Sequence, residues 1–276
     1  MTTDVHSAER AGLSSVSAAF IRMDSVEDIS YPLSMILGEL GTIVPVFIYF
    51  FIAQLVGDSP EVGGDYFTFA VIGISVSTIL QAALSGFGGS LQRAQNRGTF
   101  ETLLVEPVSW MFLPFAMNLW RVILGLMGGT LVFLVGLALG AKYVWSGIPA
   151  FLLLVVLGIL ASMAIGILSA SLMVLAKRSQ PVLTLYGLAA SLLAGALFSI
   201  DQLPPFLQAL SLAIPHTYVI NAARTLLMED PGTFSMSFRT AAIALTVFNL
   251  VVFSSGLWLL HRSMQYARKM GMLSGY

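Results

Sequence analysis

The sequence has no cysteine and very few charged residues. Among 276 residues, 10% are charged and 57% are hydrophobic, whereas soluble globular domains carry about 25% charged residues. A water-facing surface cannot be built from so few charges, so a soluble enzyme is excluded. The absence of cysteine excludes disulfides, thiolate metal sites and cysteine nucleophiles. Thirteen basic and fourteen acidic residues leave a net charge of -1, which offers no basic field to hold nucleic acid.

Sites for nucleotide and metal chemistry are also missing from the sequence. No lysine stands in the phosphate-binding pattern G-x-x-x-x-G-K-[ST], so we expect no ATPase site of that type on this chain. The three histidines, His6, His216 and His261, lie far apart in the sequence, and we predict no metal site. We therefore predict that the chain has no catalytic residue and no cofactor of its own.

Long apolar runs fill most of the sequence. A helix needs about 20 apolar residues to cross a hydrocarbon core of about 30 Å. Six runs approach or exceed this length, and we predict an all-α, polytopic membrane protein. Its six transmembrane helices are expected near 33–56, 67–89, 111–140, 150–175, 182–200 and 238–260.

The basic residues predict how the chain is oriented in the membrane. With both termini in the cytoplasm, nine basic residues lie inside and three, Lys142, Arg224 and Arg239, lie outside, in agreement with the positive-inside rule. We therefore predict a multi-pass protein of the cell (inner or plasma) membrane with both termini cytoplasmic. Its predicted parts are a cytoplasmic N-terminus, a six-span membrane domain and a cytoplasmic C-terminal tail, over residues 1–32, 33–262 and 263–276.

Three segments outside the spans differ from ordinary loops. Residues 14–31 mix apolar and charged side chains, which indicates an amphipathic helix on the inner leaflet or, alternatively, a solvated tail. Residues 91–108 form a cytoplasmic stretch that is too polar to span. The outer connection over 201–238 contains the apolar run PFLQALSLAI. Such a run in a long loop usually dips back into the membrane, where protein and water satisfy its backbone.

Two charges fall within the predicted spans. Glu39 and Arg121 lie at similar depth in the first and third spans. An isolated charge in hydrocarbon costs several kcal/mol, so we predict that the two side chains form a buried ion pair. The alternative is that each side chain reaches back to the membrane interface.

Two connections carry motifs that resemble one family. The cytoplasmic stretch contains RGTFETLLVEPVS over 97–109, and the outer connection contains LPPFLQ over 203–208 and PHTYVINAAR over 215–224. These resemble the patterns R-G-T-x-E-x-L-x-x-x-P-x-S and L-P-x-x-L-Q … P-x-T-Y-x-x-x-A-x-R of the type-2 ABC exporter permeases, whose architecture is like that of the G-subfamily transporters. The resemblance covers essentially the whole chain. His216 departs from the pattern, since the family often has a small or apolar residue there.

The cytoplasmic motif also has the local features of a short helix. Gly98 can break the preceding helix, Thr99 can cap the next one, and Glu101 places negative charge in its first turn. Pro107 then ends the helix. The resemblance implies a coupling helix that docks on a separate ATPase subunit through Arg97, Gly98, Thr99, Phe100, Glu101 and Thr102. The alternative is a plain connector between the second and third spans.

The outer motif consists of two short segments separated by prolines. The resemblance implies that they form helices which re-enter the membrane between spans five and six, with a surface cap as the alternative. The external gate is then expected at Leu203, Pro204, Pro215, His216 and Tyr218. By the family's geometry, the second and fifth spans line the substrate pathway, with an apolar lining at Phe69, Ile72, Val76, Leu80, Leu185, Leu188 and Leu192.

The resemblance implies the membrane-spanning permease subunit of an ABC exporter. Such a subunit works as a homodimer or with a similar permease, binds cytoplasmic ATPase subunits that hold ATP and Mg, and moves substrate by alternating access. The apolar lining favours a hydrophobic or amphipathic substrate, such as a drug in multidrug efflux, a lipid or a lipopeptide; the family also includes polysaccharide exporters. The alternatives are a membrane-embedded lipid-handling enzyme and an ion-coupled carrier, which the scarcity of acids within the spans disfavours.

Overall fold

The computed structural model describes residues 13–57, 65–96, 98, 113–176 and 180–269. These residues are mainly helical, and no strand occurs among them. The helices are α1 (Leu13–Ser30), α2 (Pro32–Val56), α3 (Tyr66–Asn96), α4 (Leu113–Ala138), α5 (Ile148–Ala176), α6 (Gln180–Leu193), α7 (Pro205–Ser211), α8 (Pro215–Leu227), α9 (Phe238–Phe248) and α10 (Ser254–Lys269). Short 3-10 turns precede α5 and α7, and a π-helical turn at Asn249–Phe253 joins α9 to α10.

Five stretches of helix are long and apolar enough to cross a membrane. They are Pro32–Leu55, Tyr66–Arg93, Phe115–Ala138, Trp145–Leu172 and Phe238–Tyr266. The prediction of an all-helical fold with several apolar spans is confirmed for the described residues. The number of spans differs, because the run over 182–200 does not form a full-length helix.

The helix in that run, α6, has only 14 residues. It rises about 21 Å, which is short of a hydrocarbon core of about 30 Å. The chain leaves the helix after Leu193, and Gly195 has a φ of +75°, a left-handed conformation that favours glycine. The prediction over 182–200 was therefore too long at its C-terminal end.

Helices α3 and α5 form the centre of the bundle. Most of their apolar length is buried, whereas α2 and the span formed by α9 and α10 are mostly exposed. The two central helices approach closely at Gly166, where an added methyl group would lie 2.6 Å from the carbonyl oxygen of Leu84. Small residues on α5 thus allow packing within this chain.

The N-terminal helix α1 packs against the beginning of α4. The Asp28 carboxylate accepts a hydrogen bond of 2.6 Å from the indole nitrogen of Trp120, and it lies 3.8 Å from the guanidinium of Arg121. Phe20 of α1 packs against an apolar cluster that includes Phe87 and Met117. A helix is therefore present where an amphipathic helix was predicted, and an acid and an aromatic residue anchor it to the bundle.

The predicted pairing of Glu39 with Arg121 is not formed in the structure. Arg121 has Asp28 as its acidic neighbour, and Oε2 of Glu39 is buried without a hydrogen-bond partner among the described residues. Similar depth along α2 and α4 does not identify the partner of Arg121, because the C-terminal end of α1 brings Asp28 to it. The packing of α1 on α4 therefore decides the partner.

Candidate functional site

An irregular segment continues the chain from α6 to the 3-10 turn at Ile200–Gln202. We call this end of the bundle, which also contains α7, α8 and the beginning of α3, the outer end, following the orientation predicted from the basic residues. Each carbonyl oxygen from Leu193 to Leu197 accepts a hydrogen bond from a side chain. Ser211 donates to Leu193 (2.6 Å) and Asn221 to Ala194 (3.4 Å). Arg224 donates to both Gly195 and Ala196 (2.6 Å each), and Tyr66 donates to Leu197 (3.1 Å).

These side chains replace the hydrogen bonds that a longer helix would have made. Unpaired backbone groups away from water cost free energy comparable to a lost hydrogen bond. Within a membrane, irregular backbone is tolerated only where protein or a water-filled cavity satisfies it. Side chains from α7, α8 and α3 thus fix the segment after α6 in one conformation, which we call the capped segment (residues 193–197).

Arg224 is the central donor of this arrangement. It is 1% exposed, and its guanidinium donates to the carbonyl oxygens of Gly195 and Ala196 at 2.6 Å each. It also donates to the carbonyl oxygen of Phe69 at 3.2 and 3.3 Å and to Oδ1 of Asn221 at 3.4 Å. All five N–H groups of the fork therefore have acceptors.

The groups that contact the Arg224 guanidinium are neutral. The guanidinium lies 3.3 Å from the centre of the Phe69 ring, a cation–π contact, and all its hydrogen-bond acceptors are neutral. Burial lowers the pKa of Arg224 well below its usual range. An arginine guanidinium is not deprotonated in proteins, and every N–H of Arg224 is hydrogen bonded, so the side chain stays charged at neutral pH. Arg224 thus acts as an internal cation that holds three parts of the chain together.

Gly73 makes room for this contact on α3. An added methyl group at Gly73 would overlap the carbonyl oxygen of Ala196 and would lie 2.7 Å from Nη2 of Arg224. A glycine in the middle of a helix costs roughly 0.5–1 kcal/mol relative to alanine. Here it allows the capped segment to lie directly against α3.

Other polar residues of the outer motif also donate hydrogen bonds to backbone carbonyls, in the connection between α6 and α8. Gln208 donates to the carbonyl oxygen of Leu203 at 2.8 Å, Thr217 to that of Ser211 at 2.7 Å, and Tyr218 to that of Leu212 at 2.8 Å. Together with Arg224, these residues cap backbone carbonyls where α7 and α8 begin or end. The motif therefore encodes a hydrogen-bonded turn structure at the outer end.

The structure brings the predicted gate residues together around the two short helices. Leu203 is half-buried, and Pro204 lies immediately before the first residue of α7. Pro215 and His216 are buried in the first turn of α8, and Tyr218 is half-buried one turn later. Their role as an external gate remains a prediction.

His216 is fully enclosed. It is 2% exposed, its Nδ1 lies 3.2 Å from the hydroxyl of Tyr186 on α6, and its Nε2 is buried without a hydrogen-bond partner among the described residues. Burial lowers the pKa of His216 to about 4, so the ring is neutral at pH 7.

The predicted pathway residues occupy two different environments. On α3, Phe69, Ile72, Val76 and Leu80 are buried in the core of the chain, whereas on α6, Leu185, Leu188 and Leu192 are exposed. The structure thus does not bring the two sets onto one surface of the single chain. Residues of α3 nearer its C-terminal end instead meet α6 at a cavity of about 360 Å³, which is lined by Gln81, Leu84, Ser85, Gly88, Gly89, Gln92, Ala170, Leu183, Thr184, Gly187 and Leu188.

The predicted coupling residues lie outside the described part of the chain, except for Gly98. Gly98 forms an exposed turn with a φ of +69°, which agrees with its predicted place as a helix breaker. The role of Arg97, Thr99, Phe100, Glu101 and Thr102 remains a prediction.

The sequence prediction missed the most important donor. Arg224 belongs to the outer motif, but it was counted as a basic residue of an outer connection, and Asn221, Ser211 and Tyr66 were not proposed as site residues. A signal was available in the sequence, because an arginine after a largely apolar stretch needs partners when it is buried. The identity of those partners depends on tertiary structure.

A bundle of membrane-length helices with a broken, side-chain-capped helix is typical of membrane transport proteins. Comparison with protein families matches residues 34–228 to the ABC-2 type transporter family. This match covers more than half of the chain, and the chain therefore belongs to the ABC-2 type transporter family, as a permease. The predicted family is confirmed.

Among curated proteins, the chain is similar to the inner membrane transport permease YhhJ of Escherichia coli (strain K12). The two are 29% identical over 164 residues, which cover 57% of this chain and 42% of that protein. The same name and figures apply to a relative from Shigella flexneri. The chain thus matches about two fifths of the length of these relatives.

Proposed function

We propose that this chain is the membrane-spanning permease subunit of an ATP-driven exporter in the inner (plasma) membrane, with both termini in the cytoplasm. ATP hydrolysis takes place on separate cytoplasmic subunits, and the chain itself moves substrate rather than transforming it. Membership of the ABC-2 type transporter family is the observation that carries this proposal. The relatives are named as inner membrane transport permeases, which supports the proposed location.

Helix α3 is the mechanical link in this proposal. It has 31 residues and is about 45 Å long, and it leads directly into the segment 97–102, which we propose as the docking site for the ATPase. At its other end, the carbonyl oxygen and ring of Phe69 contact Arg224. A displacement of α3 by the ATPase therefore acts on the hydrogen bonds of the capped segment.

The exposed face of α6 is the proposed pathway face. Leu185, Leu188 and Leu192 form an apolar stripe that no other part of the described chain covers. A second copy of the permease, placed opposite this stripe, would enclose a cleft between the two chains. The cavity between α3 and α6 would open into that cleft.

The lining of that cavity supports the proposed class of substrate. Amide and hydroxyl groups of Gln81, Ser85 and Thr184 stand beside leucines, and the lining has no charged or aromatic residue among the residues that the structure describes. Apolar walls with a few polar groups suit a hydrophobic or amphipathic molecule. The alternative substrate within this family is a polysaccharide, and a pathway for it would have aromatic rings that stack on the sugars.

The decisive experiment is affinity purification of the tagged chain from membranes in mild detergent. We expect a nucleotide-binding protein to co-purify in stoichiometric amount and to hydrolyse ATP. The matched variant Glu101→Arg should insert normally but lose this partner. Recovery of the chain alone, at equal expression and in a folded state, would contradict the proposal and would favour the lipid-handling enzyme or the carrier.

A further inference from the structure

We propose that the contact between Tyr186 and His216 is a latch, which holds α6 against α8 at the outer end and opens when His216 takes up a proton. This inference rests on the proposed transport function, because a latch has a role only if the outer end opens. His216 would then be a positioning residue for the outer gate, acting on the capped segment through α6.

The contact between Tyr186 and His216 links a helix that is packed in the interior, α8, to a helix with an exposed face, α6. Helix α8 packs against α3, α5 and α9 in the interior. Helix α6 has its leucine stripe exposed. Its contacts include hydrogen bonds from Gln81 of α3 to the carbonyl oxygen of Gly187 (3.2 Å) and to the hydroxyl of Ser191 (3.4 Å), and the 3.2 Å contact between Tyr186 and His216. Separation of α6 from α8 must break the contact between Tyr186 and His216.

The geometry accommodates a neutral ring. The rings of Tyr186 and His216 meet edge to face with centres 5.7 Å apart, and one hydrogen bond at Nδ1 uses one ring nitrogen. A protonated ring carries an N–H on both nitrogens, and Nε2 is buried and lacks an acceptor among the described residues. An unpaired buried charge is costly, so protonation favours a state in which water reaches the ring.

No acid faces His216 from the helices around α8. The sequences of α3, α5, α6, α7, α8 and α9 contain neither aspartate nor glutamate, so an imidazolium would have no ion-pair partner there. Tyr186 of α6 is the titratable group in contact with His216. The other titratable or charged groups on the helices that pack against α8, or on α8 itself, are Tyr66, Arg93, Tyr218, Arg224 and Arg239.

The expected pH range follows from linkage. Burial lowers the pKa of His216 to about 4 from its ordinary value of 6.5. The closed state is the one in which Tyr186 contacts His216. Because the pKa of His216 is lowered in this state, the free energy that favours closing is fully present above pH 6.5 and decreases as the pH falls toward 4. With these two pKa values, the ratio of open to closed forms is about 20-fold higher at pH 5 than at pH 7.

The test uses the absence of native cysteine. Ala190 lies one turn after Tyr186 on the buried side of α6, with 2% exposure, and a cysteine there reports separation of α6 from the core. The rate of reaction of Ala190→Cys with a water-soluble thiol reagent is measured on the purified full chain in detergent at pH 7.5 and pH 5. Each rate is divided by that of Asp230→Cys, an exposed position, which removes the pH dependence of the thiol itself.

We expect the normalised rate to rise about tenfold or more from pH 7.5 to pH 5. In the His216→Gln background the normalised rate should be the same at both pH values, because glutamine keeps a polar group but does not titrate. In the Tyr186→Phe background it should already be raised at pH 7.5. A purely structural role would raise the rate equally at both pH values in both variants.

Two outcomes would overturn the latch. One is a normalised rate that does not change with pH in the parent, and the other is an unchanged pH response in His216→Gln, with folding checked for each variant by gel filtration. Ala194, which is fully buried, provides a second position for the cysteine if Ala190→Cys itself disturbs the packing of α6. The measurement needs neither ATP nor a partner, so it can fail or succeed independently of the co-purification experiment.

Discussion

Replacement of Arg224 is the perturbation that the structure constrains best. The carbonyl oxygens of Gly195 and Ala196 lie outside any helix, and each receives a 2.6 Å hydrogen bond from the guanidinium. Leaving a buried acceptor unpaired costs about 1–3 kcal/mol. Arg224→Met leaves both unpaired and should therefore lower the free energy of unfolding by about 2–6 kcal/mol.

Arg224→Lys separates the effect of charge from the effect of shape. Lysine keeps the charge but has one donor nitrogen, which cannot reproduce the planar fork that bridges Phe69, Gly195 and Ala196. At least one carbonyl oxygen loses its donor, so we expect a loss of about 1–3 kcal/mol. The assay is chemical denaturation of the purified chain in detergent, followed by tryptophan fluorescence.

Arg239 is the matched control for both variants. It lies in the first turn of α9 with an exposed side chain, so Arg239→Met and Arg239→Lys should each change the free energy of unfolding by no more than about 0.5 kcal/mol. If Arg224→Lys and Arg224→Met also stayed within that range, the guanidinium would not hold the capped segment, and the reasoning from its hydrogen bonds would be refuted.

Three further changes test other contacts. Gly73→Ala should lower the yield of folded protein, measured by gel filtration, because its methyl group meets the Ala196 carbonyl, while Gly41→Ala, with open space around it, should not. Asp28→Ala should speed proteolysis within α1, because Trp120 and Arg121 lose their acidic partner; equal cleavage rates would argue against this anchor. Glu101→Arg should abolish ATP-driven export and leave insertion intact, and export equal to the parent, at equal expression, would contradict the coupling proposal.

The long helices could be predicted from the sequence because their signal is local. A run of more than twenty apolar residues predicts a membrane-length helix whatever surrounds it, and five such helices are present. The end of α6 could not be predicted in the same way. Ala194 to Leu197 are as apolar as the helix before them, and their conformation depends on Asn221 and Arg224, which follow more than twenty residues later.

The positions of individual side chains were harder to predict. Phe69, Ile72, Val76 and Leu80 recur at helical spacing, and this pattern suits a pathway face and a core face equally well. The structure buries all four, because α3 lies at the centre of the bundle. The partner of Arg121 likewise depends on where α1 packs, which periodicity cannot indicate.

The outer connection offers the most direct test that α7 and α8 form a membrane-embedded gate. Helix α7 exposes Phe206 and Leu210, which suits a helix that faces lipid. In intact membranes, the reaction of single cysteines with a membrane-impermeant thiol reagent is compared at Leu210 and at Asp230, both exposed in the single chain. We predict slow labelling of Leu210→Cys and fast labelling of Asp230→Cys. Equally fast labelling at both positions would show that α7 lies in water and would remove the gate from the mechanism.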